Sequence, residues 1–252
     1  MSHWYDSTGK LVAQVPNASK PGELRDTTIR DARKLGLKPS VTTVQGILDK
    51  PMLNDLKVEQ AIIAALNHVR DWSPSDILIN QDIGNIKDSA EQHTRFAADF
   101  GTAVHSLISD HFSGKVLSAT SPLGFQAMDI AVAAVEWMGQ VGIVCERSEF
   151  TFVNEWAGTI DLLGRWHGIP IIADFKTRED LDKTVNWYDE QPLQLSGYAL
   201  GIEEPERARV SILIDRNKKG LVVHKEWPKK EKWDRQWMKL WEYWKESKEW
   251  VA

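Results

Sequence analysis

Residues 158–177 read GTIDLLGRWHGIPIIADFKT, two apolar, β-rich runs on either side of His167-Gly168, and they constrain the fold more than any other stretch. A two-residue turn at His167-Gly168 pairs Trp166 with Ile169, and counting outward sets Asp161 directly opposite Asp174. A four-residue loop over 166–169 gives the same pairing, whereas an odd loop slips it by one. Opposed side chains in a hairpin have Cβ atoms about 4.5–5.5 Å apart, and like charges there destabilise the sheet. A cation is therefore expected between the two carboxylates. Strand alternation puts Ile172, Asp174 and Lys176 on one face and Phe175 on the other, so the lysine projects beside the acidic pair.

An isolated D-x-K pattern says little, because in a chain of ordinary composition it arises by chance about once. Asp55-Leu-Lys57 is one such case, and Glu246-Ser-Lys248 is its glutamate equivalent, both in polar helical contexts. Only Asp174-Phe-Lys176 ends an apolar strand and has a facing aspartate. Two clustered carboxylates suit a hard, oxygen-seeking divalent ion such as magnesium or manganese. Such an ion polarises a phosphoryl oxygen and acidifies a bound water, and a neighbouring lysine can orient that water, which is the chemistry of phosphodiester hydrolysis. The same residues also fit a plainer arrangement, a buried Asp174–Lys176 ion pair with Asp161 hydrogen-bonded at a strand end.

Around this hairpin the pattern predicts helices, then three strands, a helix, two strands and a final helix. The Ser40-Val-Thr-Thr stretch opens a short helix that Pro51 stops, and Leu53, Leu56, Ile63, Leu66 and Val69 follow at helical spacing. Ser73-Pro74 and Ser121-Pro122 are helix-start signals, and the longest helical pattern runs from about Ile83 to Phe112. That order implies one α/β domain over 1–252, with a mixed central β-sheet flanked by helices and an N-terminal helical subregion over 1–80. Of twelve tryptophans, Trp233, Trp237, Trp241 and Trp244 share one helix face and are expected to cover the sheet.

The single cysteine, Cys145, excludes an internal disulfide framework and any site that needs several thiolates. No run approaches the ~20 apolar residues of a membrane span, and the N-terminus has no signal-peptide core. A cytoplasmic protein with no membrane partner is the expectation. The net charge of −5 weighs against a nucleic-acid partner, but local balances differ. Lys20 to Lys38 holds six basic and three acidic residues, and Arg216 to Lys232 seven and two.

With GTIDLL, IADFKT and QLSGYA in that order, and Gly101-Thr-Ala-Val-His105 upstream, the chain resembles the RecB-type branch of the PD-(D/E)XK nuclease superfamily. Glu149, opening SEFTFV, matches a glutamate common in that branch. The stretch PSVTTVQGIL at 39–48 is similar to the N-terminal signature of a subgroup containing the mitochondrial genome maintenance exonuclease and phage and bacterial relatives. The resemblance implies a restriction-endonuclease-like core over 81–252 and a magnesium- or manganese-dependent deoxyribonuclease. It implies metal ligation by His105, Asp161, Asp174 and the Phe175 carbonyl, water positioning by Lys176, and phosphate or lysine contacts by Gln194 and Tyr198. Ser40 and Thr42 would contact substrate, and Glu149 would support the site. Each also has an ordinary structural reading: His105 in the core, Gln194 and Tyr198 on an amphipathic helix, Glu149 as an exposed charge, Ser40 and Thr42 as helix caps.

Within the family the subgroup resemblance favours an exonuclease on single-stranded DNA or DNA ends, in a bacterial or phage-infected cell and alongside replication or recombination proteins. A structure-specific or restriction-type endonuclease, or a DNA-binding protein without catalysis, are the alternatives. One cysteine cannot build the iron–sulfur cluster of some relatives, so none is expected. The two basic runs would flank the carboxylate cleft and neutralise DNA phosphates.

Overall fold

The computed structural model describes residues 3–48, 51–68 and 80–250. Residues 3–40 are mixed, with short strands around one helix, and helices follow. β1 (Trp4–Tyr5) pairs with β4 (Lys38–Pro39), β2 (Gln14–Pro16) pairs with β3 (Leu24–Asp26), and α1 (Ile29–Leu35) lies between β3 and β4. The basic stretch containing α1 carries its own start and stop signals. Thr28 and Asp31 form a reciprocal capping box, and Gly36 leaves the helix at φ 64, where glycine meets no Cβ penalty.

Ser40 caps α2 (Val41–Gln45), its hydroxyl accepting from the Thr43 amide at 2.9 Å. Then come α3 (Pro51–His68), α4 (Asn80–Phe112) and α5 (Pro122–Gln140), the last opened by Ser121 with Pro122 in its first turn, as the sequence predicts. The apolar stripe expected on α3 is helical, but Ile63 and Leu66 are exposed. Val69 and the Ser73-Pro74 signal lie outside the described residues.

The central sheet comprises β5 (Ile143–Val153), β6 (Ala157–Trp166), β7 (Ile169–Arg178), β8 (Ala208–Asp215) and β9 (Val222–Trp227), neighbours in chain order. β5 to β7 form an antiparallel meander, α6 (Glu190–Gly201) crosses over to a parallel β8, and β9 returns antiparallel. α7 (Lys230–Ser247) closes the chain. This is the mixed α/β sheet flanked by helices that the pattern implies.

Each sheet face buries its own core. On one, Phe100, Val104 and Ile108 of α4 and Met138 of α5 cover Leu162, Ile171, Ala173 and Phe175. On the other, α6 and α7 cover Ile160, Leu163 and Ile172. Trp233, Trp237, Trp241 and Trp244 are all buried there, so the tryptophan stripe is core. Cys145, in β5, is half-buried, and burial, with Glu146 adding to it, pushes its thiol up to about 11. Among the described residues no helix is long and apolar enough to cross a membrane.

Candidate active site

The hairpin register is the one the turn dictates: Trp166 faces Ile169 and the ladder runs outward to Leu162 opposite Ala173. It ends one step before Asp161 and Asp174. Asp161 Oδ2 accepts the Phe175 amide at 2.7 Å, so a carboxylate occupies a donor that a continuing ladder would have paired with backbone. β6 and β7 fork there.

The fork is prepared by local irregularity. In a regular strand same-face residues are two apart, yet Ile160 and Leu163 share one core while Leu162 belongs to the other, which leaves Asp161 as an extra residue. Opposite it on β5, Glu149 has φ 49, and the pairing passes from Ser148–Leu162 to Phe150–Ile160 without it. Two extra residues at one level preserve the register, and the carboxylates of Asp161 and Glu149 both line the cleft. Past the fork, β6 has the N-terminal ribbon beside it, through a parallel bridge from Ser40 to Ala157.

The cleft encloses about 280 Å³ and is lined by Thr102, His105, Ser106, Glu149, Thr159, Asp161 and Phe175. α4 supplies the first three from one helix face. A Cβ on Gly101 would come within 3.0 Å of Thr177 Oγ1, so glycine lets α4 approach β7 closely enough for His105 to reach the carboxylates. His105 Nδ1 stands 3.3 Å from Asp161 Oδ1, and its ring meets Phe175 edge-on at 5.8 Å. On the α6 side Lys176 Nζ is 2.6 Å from Asp174 Oδ2. Gln194 spends both amide hydrogens, on Asp174 Oδ1 at 2.8 Å and Tyr198 Oη at 2.7 Å. A Cβ on Gly158, just upstream of Asp161, would sit 2.7 Å from Tyr198 Cε1. Gly158→Ala is expected to push that ring aside and cost about 1–3 kcal/mol, read as a lower thermal midpoint; an unchanged midpoint would show the ring is not pinned there.

Burial disfavours charge throughout this cluster. It opposes protonation of His105, but the adjacent Asp161 outweighs it and raises the imidazole above its ordinary range. Asp161 is depressed in spite of burial, by His105, Lys176 and the Phe175 amide. Asp174 goes the other way: burial and the like charge of Asp161 raise it, although Lys176 pulls against them. Burial, followed by Asp174, lifts the Tyr198 phenol well above 10.

The structure thus brings together His105, Asp161, Asp174, Lys176, Gln194 and Tyr198, with the Phe175 backbone at their centre and exposed Glu149 at the rim. Of these, His105, Glu149, Asp161 and Phe175 line the cleft, Asp174, Lys176, Gln194 and Tyr198 lie behind it, and Ser40 and Thr42 stand outside the lining. Ser40 is buried as the α2 cap, and its hydroxyl lies 2.9 Å from that of the exposed Thr42. Sequence reasoning overlooked Thr102 and Ser106, although their i, i+3, i+4 spacing with His105 marks them as sharing its face. It also overlooked the hydroxyl chain of Tyr5, Thr159 and Thr151, at 3.3 and 3.0 Å.

Among the described residues no three His, Cys, Asp or Glu side chains converge on a common point. Each carboxylate instead leans on a basic side chain, Asp161 on His105 and Asp174 on Lys176. Asp174 Oδ2 nonetheless completes no hydrogen bond. Lys176 at 2.6 Å is a charge contact lying off the hydrogen-bond direction. A buried carboxylate oxygen held only by the Lys176 ammonium, beside a second carboxylate and an imidazole, is a donor set that fits magnesium or manganese.

In the second basic run three of the seven cations are neutralised by carboxylates. Arg216 pairs with Glu179, Lys218 with Asp182 and Lys219 with Asp129. Lys225 and Lys232 sit over tryptophan rings, and Lys230 donates to the Glu206 carbonyl. No family model matches this chain, and none of the curated proteins compared with it does.

Proposed function

We propose that this chain is a magnesium- or manganese-dependent deoxyribonuclease with a restriction-endonuclease-like core of the RecB type, acting as an exonuclease on single-stranded DNA or DNA ends. One observation carries the reading. Side chains from α4, β6, β7 and α6, in the order of the sequence motifs, gather in one polar cluster, of which His105 and Asp161 line the cleft and Asp174, Lys176, Gln194 and Tyr198 lie behind them. A structural ion pair alone does not call for a second carboxylate, an imidazole and a glutamine with both hydrogens committed.

His105, Asp161, Asp174 and the Phe175 carbonyl would hold the metal, which when bound polarises the scissile phosphoryl group and acidifies a water. Lys176, on the Asp174 face, would orient the attacking oxygen and offset negative charge that builds on the phosphorus oxygens. Gln194 holds Asp174 in one rotamer, and Tyr198 holds Gln194. The water oxygen bonds to phosphorus, the bond from phosphorus to the 3′ oxygen breaks, and the products are a 5′-phosphate and a 3′-hydroxyl.

The deciding assay follows 5′- and 3′-labelled linear DNA and a covalently closed single-stranded circle, with magnesium and with chelator. Stepwise shortening of linear strands and an intact circle are expected; a cut circle overturns the exonuclease mode. Metal linkage gives a second check. Magnesium at 100 times its dissociation constant should stabilise the fold by about 2.7 kcal/mol, roughly 5–10 °C in Tm for a chain this size. No shift, together with no metal-dependent cleavage, removes the proposal.

A further inference from the structure

The geometry points to Lys38, with Arg30 and Lys34 behind it, as the residues that hold the phosphate backbone of a single-stranded nucleic acid where it leaves the cleft. This deepens the nuclease reading and rests on it. Directly opposed residues of an antiparallel pair project from the same face, and β1 and β4 pair Tyr5 with Lys38. Tyr5 is buried, with its hydroxyl 3.3 Å from Thr159 Oγ1, and Thr159 lines the cleft. Half-buried Lys38 therefore projects from the cleft-facing side of the ribbon.

Charge pairing separates this lysine from Lys20 and Arg25 of the same run. In the same run Lys20 pairs with Glu23, Arg25 with Asp31, and Arg33 donates to the Lys248 carbonyl. Arg30, Lys34 and Lys38 have no carboxylate partner among the described residues. Arg30 and Lys34 are exposed and one turn apart on α1, and the left-handed Gly36 turns the chain from there into β4. Arg30, Lys34 and Lys38, with Arg33 bonded only to a neutral carbonyl, put four cations without a carboxylate partner among the described residues within nine positions, a short positive track on an acidic protein. Such a track binds phosphates without reading bases.

The test is fluorescence anisotropy of a labelled oligo-dT with the full chain in chelator, where hydrolysis cannot interfere, over a series of salt concentrations. For a single strand each phosphate contact contributes about 0.7 to the slope of log affinity against log salt. Lys38→Ala should weaken binding about five- to tenfold and flatten the slope by about 0.7, and Lys38→Arg should restore both. Adding Arg30→Ala and Lys34→Ala should flatten it by about 2 in total. Lys218→Ala and Lys219→Ala, whose ammonium groups pair with Asp182 and Asp129, should leave it unchanged, and an unaltered Tm certifies each variant.

An unchanged slope in the triple variant overturns the proposal. So does an equal loss in the controls, or no oligonucleotide binding by the unaltered chain at low salt. Binding with the expected slopes but no cleavage in magnesium would instead remove the nuclease reading and leave this track in place.

Discussion

Asp174→Asn is expected to lower metal-dependent cleavage by about 10³-fold or more, because it removes a charged ligand where transition-state charge must be met. Its effect on stability separates the two accounts of the site. If Asp174 and Lys176 were a structural pair, removing one partner would strand a buried charge and cost about 3–5 kcal/mol. The geometry argues otherwise. Asp174 is the carboxylate that burial and the neighbouring Asp161 make harder to ionise, so a neutral isostere relieves a strained charge. Gln194 can still donate to the amide oxygen, and Lys176, about 30% exposed, can turn its ammonium toward water. The expectation is a near-native melting temperature, lost magnesium stabilisation and lost cleavage. Lys176→Gln should likewise abolish cleavage while the fold persists. Cleavage within tenfold of the unaltered chain in either variant would end the catalytic assignment.

Trp237→Ala should produce the largest loss of stability of any single change considered. The ring is 0% exposed, and it lies against Gly197, where an added Cβ would be 3.0 Å from it. It also meets Trp156 edge-on at 5.3 Å, while the Trp156 indole donates to the Gly197 carbonyl at 2.8 Å. Removing a fully buried aromatic side chain costs about 3–5 kcal/mol, or about 10 °C in Tm for a chain of this length. Gly197 lies between Gln194 and Tyr198 on α6, so the cavity would also loosen the helix that orients Asp174, and cleavage should fall with stability. Trp237→Phe should lose less than half as much, because the Trp237 indole nitrogen makes no hydrogen bond that phenylalanine would forfeit. A melting temperature within 2 °C of the unaltered chain for the alanine variant would show that the tryptophan layer does not hold α6.

Much of this was legible along the chain because the signals are local. The tight turn at His167-Gly168 specifies which residues of the hairpin face each other, and a helix-periodic tryptophan stripe has to be buried. Other local signals were present but went unread. Thr28, Asp31 and Gly36 mark α1, but the density of charge in that stretch obscured them. The fork at Asp161 is different in kind. It depends on a matching extra residue in β5, on Phe175 turning its amide toward a side chain, and on α4 approaching over Gly101. None of these follows from spacing within one segment.

By itself, then, the sequence determined the register of the hairpin, the order of strands and helices, and which residue types carry the chemistry, because backbone geometry and side-chain period act over a few residues. Tertiary structure alone decided that the hairpin opens before its two aspartates, with Asp161 turned to His105 and Asp174 to Lys176 and Gln194. It also decided which cations stay unpaired, since Coulomb partners such as Arg216 and Glu179 are neighbours in space and not in sequence.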